Sequence, residues 1–495
     1  MQFDHSMAPA LRRPLVLASV MAAIFTIAVE ATIVSTAMPQ IVAQLGDLHL
    51  YTWVFSAFLL TQTATTVVFG KLADTYGRRP VLLVGIVVFL VGSLLCGFSW
   101  SMGSLIAFRL VQGVGAGAIQ PVALTVVGDL YSVEERARIQ GYLASVWGIS
   151  SVLGPLAGGL IVKYLSWSWI FWINLPIGVL AMAGLMAFLH ERVERERRAV
   201  DVLGAGLFAG AVASLMLALA ELGTSGRLAW MGAGVFVVLA GLFVWQERRA
   251  VDPMVHIGLW ARRPIATANL ATLLSGMAII GLTTFVPMYV QGVLGQSALV
   301  AGFALTAMVL GWPIGATLAA RNFARFGIRR TALAGACLLP VGAVAFVVLG
   351  PGMSPLVPGI GSAVMGLGMG LLSTSAIVLI QDVVDWSERG VATASNIFSR
   401  NLGSTLGATA LGSVLNLGLA NGGSWSGSGQ PAVTSEQVRQ LLEGVGDTVF
   451  VRLALAQSLH WTFVAVFVVA VGTLALTTLM PQVSFRKGPR EAAAE

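Results

Sequence analysis

Charge is what this sequence has least of: Asp, Glu, Lys and Arg make up 10% of its 495 residues, against roughly a quarter in water-soluble domains. A chain so short of ionic surface cannot keep its apolar residues, 57% of the total, dissolved in water. Cysteine is nearly absent. The two present, Cys96 and Cys337, stand inside apolar runs, which excludes a disulfide framework and leaves both as small packing side chains. The five histidines are equally sparse, none deep in an apolar run, so no metal-ligand spacing is present and no metal site is expected. No cluster of nucleophile and base stands out, and no sizeable polar domain, which disfavours a membrane enzyme or a sensor with a soluble output.

What fills the sequence instead is a series of apolar runs of about 17 to 25 residues, each long enough to cross a hydrocarbon core roughly 30 Å thick. We read fourteen, from Leu15 to Ala37 at one end to Leu459 to Met480 at the other. The first is too long for a removable signal peptide and lacks a small-residue cleavage site, so it is counted as a span. The expected fold class is an all-α membrane protein with the lipid bilayer as its surroundings.

The net charge of +7 and pI near 9.9 could point to nucleic acid, but the placement of the cations gives a better account. Arg12, Arg13, Lys71, Arg78, Arg79, Arg262, Arg263, Arg329 and Arg330 fall in alternate loops, whereas the opposite loops hold only Lys163, Arg227, Arg439 and Arg452. This bias and the even span count both place the two termini in the cytoplasm. No nucleic-acid partner is expected.

Self-comparison exposes a repeat. Shifted by 253 residues, Gly113, Gly115 and Gly117 fall on Gly366, Gly368 and Gly370, Asp129 on Asp382, Glu135 and Arg136 on Glu388 and Arg389, and Gly154 on Gly407. A slightly shorter register pairs Pro39 with Pro287 and Tyr76-Gly77 with Phe326-Gly327. Spans 1 to 6 thus correspond to spans 9 to 14, and Val202 to Ala220 and Ala229 to Trp245 form an inserted pair. The expected division is a six-helix bundle at 1–189, a cytoplasmic connector and the inserted pair at 190–263, and a second six-helix bundle at 264–495. The Gly/Ser-rich stretch at 421–437 reads as an external loop, with a short surface helix from Val438 to Glu443.

The loop after span 2 reads GKLADTYGRRP, residues 70–80. Gly70 lets helices approach closely, Gly77 permits a tight reversal, and Asp74 can accept bonds from a helix N-terminus or from Arg78 and Arg79. Such a loop is a latch, or in the plainer reading a positively charged topogenic loop. The string resembles the signature loop of the major facilitator superfamily. LIAFRLVQGVGAG (105–117) resembles that superfamily's helix 4 motif, with its membrane arginine at Arg109, and GISSVLGPLAGG (148–159) its antiporter motif. EATIVSTAMPQI (30–41) and WSWIFWINLPIG (167–178) are similar to the fourteen-helix drug/proton antiporter branch, as are AVDVLG (199–204), YVQGVLGQSALVAG (289–302) and SERGVATASNIFSRNLGSTLG (387–407). Against that branch, Glu30 replaces the usual Asp and Ser168 the usual Arg. Ala324 stands where the second half would repeat Asp74, so the second latch is degenerate.

Glu30 is the acidic residue that lies well inside a span, where a charge costs on the order of 3 kcal/mol. At 1.5 Å per residue, Glu30 on span 1 and Arg109 on span 4 both lie roughly 10 Å below the outer surface. The resemblance implies that their helices line one cavity, so the two form either a switchable proton-coupling pair or a permanent structural ion pair. Gly148, Gly154, Pro155, Gly158 and Gly159 of the antiporter motif act as a pivot and seal or simply as a packing surface. Gln62, Phe285, Tyr289, Gln291 and Arg400 are candidates to line a substrate cavity, with structural pairing as the alternative for Arg400 and core packing for the aromatics. The resemblance implies a proton-coupled exporter of amphipathic or cationic organic compounds, a multidrug efflux protein conferring antibiotic resistance, in a bacterial cytoplasmic membrane. The alternative is an exporter of an endogenous metabolite or lipid-linked compound. No cofactor is expected, the proton being the coupling ion. The partner is a small organic substrate, and the protein is taken as a monomer with a periplasmic partner left open.

Overall fold

The computed structural model describes residues 9–46, 50–191, 201–221, 226–250, 257–425 and 449–482, with single positions near 433–441. Most of the expected connector, whose sequence at 190–201 is the charged HERVERERRAVD, much of the Gly/Ser-rich stretch and most of the expected surface helix lie outside these residues. Every regular element among the described residues is helical. The long helices are α1 (Pro9–Leu45), α2 (Tyr51–Tyr76), α3 (Arg78–Gly97), α4 (Met102–Leu130) and α5 (Val133–Tyr164). They are followed by the short α6 (Trp169–Trp172), then α7 (Asn174–Phe188), α8 (Val202–Glu221) and α9 (Gly226–Glu247). Next come α10 (Ile257–Ala261), α11 (Arg263–Met288), which runs into a π-helical turn at Tyr289–Val293, and α12 (Ala298–Val347). α13 (Leu356–Val383), α14 (Arg389–Trp425) and α15 (Val449–Thr478) complete the order.

Among the described residues fourteen segments are long and apolar enough to cross a bilayer, matching the number read from the apolar runs. Their ends follow local chemistry. Ser101 opens α4 with a capping box in which its Oγ accepts from the Ser104 amide at 3.1 Å. Ser132 opens α5 in the same way, with Glu135 reaching back to the Ser132 amide at 2.9 Å. The reversal between α2 and α3 turns on Gly77 at φ +99°, and α12 folds back within its length at Gly327 at φ +78°. Both lie in the region open to glycine, so the Tyr76-Gly77 and Phe326-Gly327 pairing marks two equivalent turns.

The chain forms two compact units, one of residues 1–265 with 380–398, the other of 266–379 with 399–495. In the first, α4 packs against α2 and α3, α1 against α5 and α7, and α8 against both α2 and α9. The span on α9 is 11% buried, so its apolar residues, Trp230 and Val237 among them, face outward where lipid would meet them. The repeated glycines have a physical reason. A Cβ on Gly113 would meet the Phe58 carbonyl at 2.4 Å, on Gly115 the Phe89 amide at 2.3 Å, and on Gly117 Thr65 Oγ1 at 2.2 Å. α4 therefore touches α2 and α3 backbone to backbone.

In the second unit, Gly366 lies against the Met308 carbonyl at 2.2 Å, Gly368 against that of Gly335 at 2.7 Å, and Gly370 against that of Trp312 at 2.1 Å. α13 thus meets the two limbs of α12 as α4 meets α2 and α3. Gly403 approaches the Leu273 carbonyl and Gly407 the Met277 backbone, bringing α14 onto α11. Phe463 of α15 stands between Tyr289 and Phe346, at centroid distances of 5.8 and 5.5 Å.

Candidate functional site

Glu30, on α1, is completely buried, and so, nearly, is Arg109 on α4. Arg109 Nη1 forms an ion pair with Glu30 Oε1 and donates to Gln112 Oε1 at 2.7 Å, while its Nε donates to the Val54 carbonyl at 3.1 Å. The guanidinium also lies over the Phe58 ring at 4.3 Å. The second carboxylate oxygen of Glu30 accepts from Asn174 Nδ2 at 2.5 Å. Asn174, the first residue of α7, also donates to Ser93 Oγ on α3 at 3.1 Å, and Ser93 accepts from Gln112 Nε2 at 2.6 Å. The carboxylate on α1 is therefore enclosed by polar side chains from three other helices, α3, α4 and α7, while α2 adds the Val54 carbonyl and the Phe58 ring around Arg109. Among the charged residues described, Arg109 is the one that meets it.

Such a ring suits an ion pair held away from water, where an unmatched charge is costly and each charge-assisted bond is strengthened. It also leaves Arg109 with two other acceptors and an aromatic face, so the cation keeps partners when Glu30 carries a proton. Asn174 Oδ1 has no hydrogen-bond partner and is an acceptor that a protonated carboxyl could use after an amide flip. Gln112, Ser93 and Asn174 were not singled out in the sequence. Gln112 lies three residues after Arg109, on the same helix face, a signal that was available. Asn174 sits inside the quoted WSWIFWINLPIG string, and Ser93 gave no signal.

The second cluster lies in the same unit, at the GKLADTYGRRP loop. Asp74 accepts from the amides of Gly390 and Val391, both at 2.8 Å, so it caps the first turn of α14. Arg78 pairs with Asp74 at 2.8 Å and with Asp129 at 3.0 Å, donates to the Trp386 carbonyl at 2.7 Å, and lies 3.7 Å from the Trp386 ring centroid. Asp129 also holds Arg389 at 2.6 Å. A Cβ on Gly70 would stand 2.8 Å from the Gly390 carbonyl, so only glycine allows α2 and α14 to touch here.

Of the two arginines offered to Asp74, the structure gives it Arg78. Arg79 instead donates to the Met186 carbonyl at 2.8 Å, and its amide and that of Arg78 donate to the Glu191 carboxylate at 2.9 and 3.1 Å. Glu191, which follows α7, thereby caps the N-terminus of α3. Burial pushes its carboxyl above the ordinary range, against the pull of the two amides. In the sequence Asp129 and Arg389 stand out as repeat positions rather than as partners of the 70–80 loop, and nothing in it marks Trp386 or Glu191 for these contacts.

The remaining candidates fall in both units. Gly154 presses on Thr32 of α1, whose hydroxyl donates to the Ser150 carbonyl at 3.0 Å, while Gly159 borders open space. Gly148 is half-buried, Gly158 is buried, and Pro155 lies within α5. Gln62 is buried on α2 in the first unit. In the second, Phe285 and Tyr289 are buried, Tyr289 against Phe463, and Gln291 donates back to the Pro287 carbonyl at 3.4 Å. Arg400 is half-buried on α14. Among the described residues no group of three or more His, Cys, Asp or Glu is placed to hold a metal.

Residues 20–408 match the Major Facilitator Superfamily. The chain is 36% identical over 409 residues to the "Multidrug transporter protein MdtP" of Bacillus subtilis, covering 82% of this chain and 76% of that protein. It is 35% identical to "Multidrug resistance protein 3" of the same organism, covering 78% and 76%. To the "Efflux pump dotC" of Dothistroma septosporum it is 30% identical, over 81% and 71%. Among solved structures it shares the fold of the human organic anion transporter MFSD10, with a TM-score of 0.66 at 18% identity over 94% of this chain and 99% of that one. These names point to a transporter rather than an enzyme, and the family match, the relatives and the fourteen helices together make this chain a multi-pass membrane transporter of the major facilitator superfamily.

Proposed function

We propose that this protein exports amphipathic or cationic organic compounds across a bacterial cytoplasmic membrane in exchange for protons, by alternating access. The observation that carries the reading is the fully buried Glu30 carboxylate, ringed by Arg109 and Asn174 inside the membrane. A carboxyl in that position earns its desolvation cost by changing protonation during the cycle. Deprotonated, it holds Arg109. Protonated, it releases the cation to Val54, Gln112 and the Phe58 ring, and α1, α4 and α7 are freed to repack. The membrane potential adds about 2.3 kcal/mol per charge per 100 mV to such a cycle.

The Asp74, Arg78, Asp129 and Arg389 cluster serves as the cytoplasmic gate: its charges fasten the start of α14 to α2 and α4 and let go when they rearrange. Gly154 of α5 supplies the close contact with Thr32 of α1 on which these two helices slide. The efflux and multidrug names of the relatives support the direction and the substrate class, and the loop charges support a cytoplasmic location for both termini.

Purified protein in proteoliposomes carrying a pH-sensitive dye, with a panel of drug-like cations, tests the reading. Imposed proton gradients are expected to drive uphill movement and a reciprocal proton flux. Glu30→Gln is expected to express normally and to retain substrate binding while losing gradient-driven transport. Retained uphill transport by Glu30→Gln would remove Glu30 as the proton carrier.

A further inference from the structure

Arg400 lies three turns into α14, roughly 16 Å along the helix axis from Arg389, close to the middle of a hydrocarbon core about 30 Å thick. Its main chain is held firmly. A Cβ on Gly276 would stand 2.3 Å from the Arg400 carbonyl, Gly403 presses on Leu273, and the Ser404 hydroxyl donates to the Gly276 carbonyl at 3.3 Å. Its guanidinium, by contrast, forms no ion pair with any carboxylate among the described residues. The other deeply placed arginines are fastened: Arg109 by Glu30, Gln112, Val54 and the Phe58 ring, and Arg78 by two aspartates, two carbonyls and an indole.

The sequence sharpens the contrast. No Asp or Glu occurs in the described membrane spans of the second unit, so among the described residues a mid-membrane positive charge stands there without a carboxylate from its own spans. Intramembrane cations are costly and face a partner or a water-filled space. A guanidinium with a fixed base and an unclaimed planar fork of donors is matched by a carboxylate or similar oxyanion.

We propose that Arg400 is an anion-recognition residue that binds a carboxylate, or a comparable acidic group, of the transported compound. The ligand's being a transported compound rests on the export reading above. The consequence is a preference for amphipathic molecules that carry an acidic group, zwitterions included, over otherwise identical neutral or cationic ones.

The test uses the full chain in nanodiscs and two rhodamine dyes that differ only in a free carboxylate against its methyl ester, with binding read by fluorescence polarisation. Wild type is expected to bind the acid about tenfold more tightly than the ester. Arg400→Gln is expected to lose that preference by weakening the acid about tenfold and the ester less than twofold, and Arg400→Lys to keep part of it. Equal affinity of wild type for the two dyes, absence of binding by both, or an undiminished preference in Arg400→Gln overturns the proposal. If Arg400→Gln loses both dyes, Arg400→Lys decides: a retained preference supports the proposal and a lost one overturns it. Equal binding that falls when chloride is replaced by gluconate identifies an inorganic anion site and overturns it as well. Proton-driven export of the ester without an acid preference leaves the export reading standing and removes this one. An acid preference without proton-driven transport of either dye does the reverse.

Discussion

At Asn174 an amide occupies a position that hydropathy alone would fill with an apolar side chain, and its contribution is to the charge on its neighbour. It supplies a second donor to Glu30, so the carboxylate is held on both oxygens. Removing a donor from a buried carboxylate costs about 1–3 kcal/mol. Asn174→Leu is therefore expected to lower the thermal midpoint of the purified protein and to reduce proton-driven transport about tenfold, whereas Ser93→Ala, one bond further away, has a smaller effect on both. Thermal melts and proteoliposome flux check this, and wild-type values for Asn174→Leu in both would rule out the role. Glu30 and Arg109 were legible in the sequence because a charge inside an apolar run is expensive and needs a reason. Asn174, Gln112 and Ser93 were not, because uncharged polar residues are tolerated in helices for many purposes and their convergence on Glu30 depends on α1, α3, α4 and α7 meeting.

The helices themselves show a similar division. The glycine triplets of α4 and α13 were visible as a repeat, but only packing revealed that corresponding members face corresponding neighbours: Gly113 and Gly366 meet the carbonyls of Phe58 and Met308, and Gly115 and Gly368 approach Gly85 and Gly335. The reversal at Gly77 is legible ahead of α3, but the cap of that helix is not, because it comes from Glu191, more than 100 residues away. The pKa of Glu191 lies above its ordinary 4.5 because of burial, so the folded state holds this proton more tightly than the unfolded chain does. Its contribution to stability is fully present below pH 4.5 and declines as pH rises through the elevated value. In thermal melts across that range, the midpoint of wild type relative to Glu191→Gln is expected to fall with rising pH and then level off. A difference that grows with pH would show that the amide bonds outweigh burial.

For the molecule as a whole, span number and orientation are linked: with fourteen spans, both ends must lie on one side. A fluorescent protein that matures in the cytoplasm is expected to be bright when fused at either end, and alkaline phosphatase to be active when inserted in the Gly/Ser-rich sequence that follows Trp425 but not when fused at either end. Phosphatase activity at the C-terminus together with a bright N-terminal fusion would mean an odd number of spans. The sequence by itself determined the membrane class, the fourteen helices, the repeat, the family resemblance and the intramembrane charges Glu30, Arg109 and Arg400, since each depends on local composition or on the solvation cost of a single residue. Only the tertiary structure decided which groups complete the Glu30 ring, that Asp74 caps α14 and that Glu191 caps α3. It also left Arg400 without a carboxylate partner among the described residues. These are bonds between helices distant in the chain, and their geometry is set by where small residues let backbones meet.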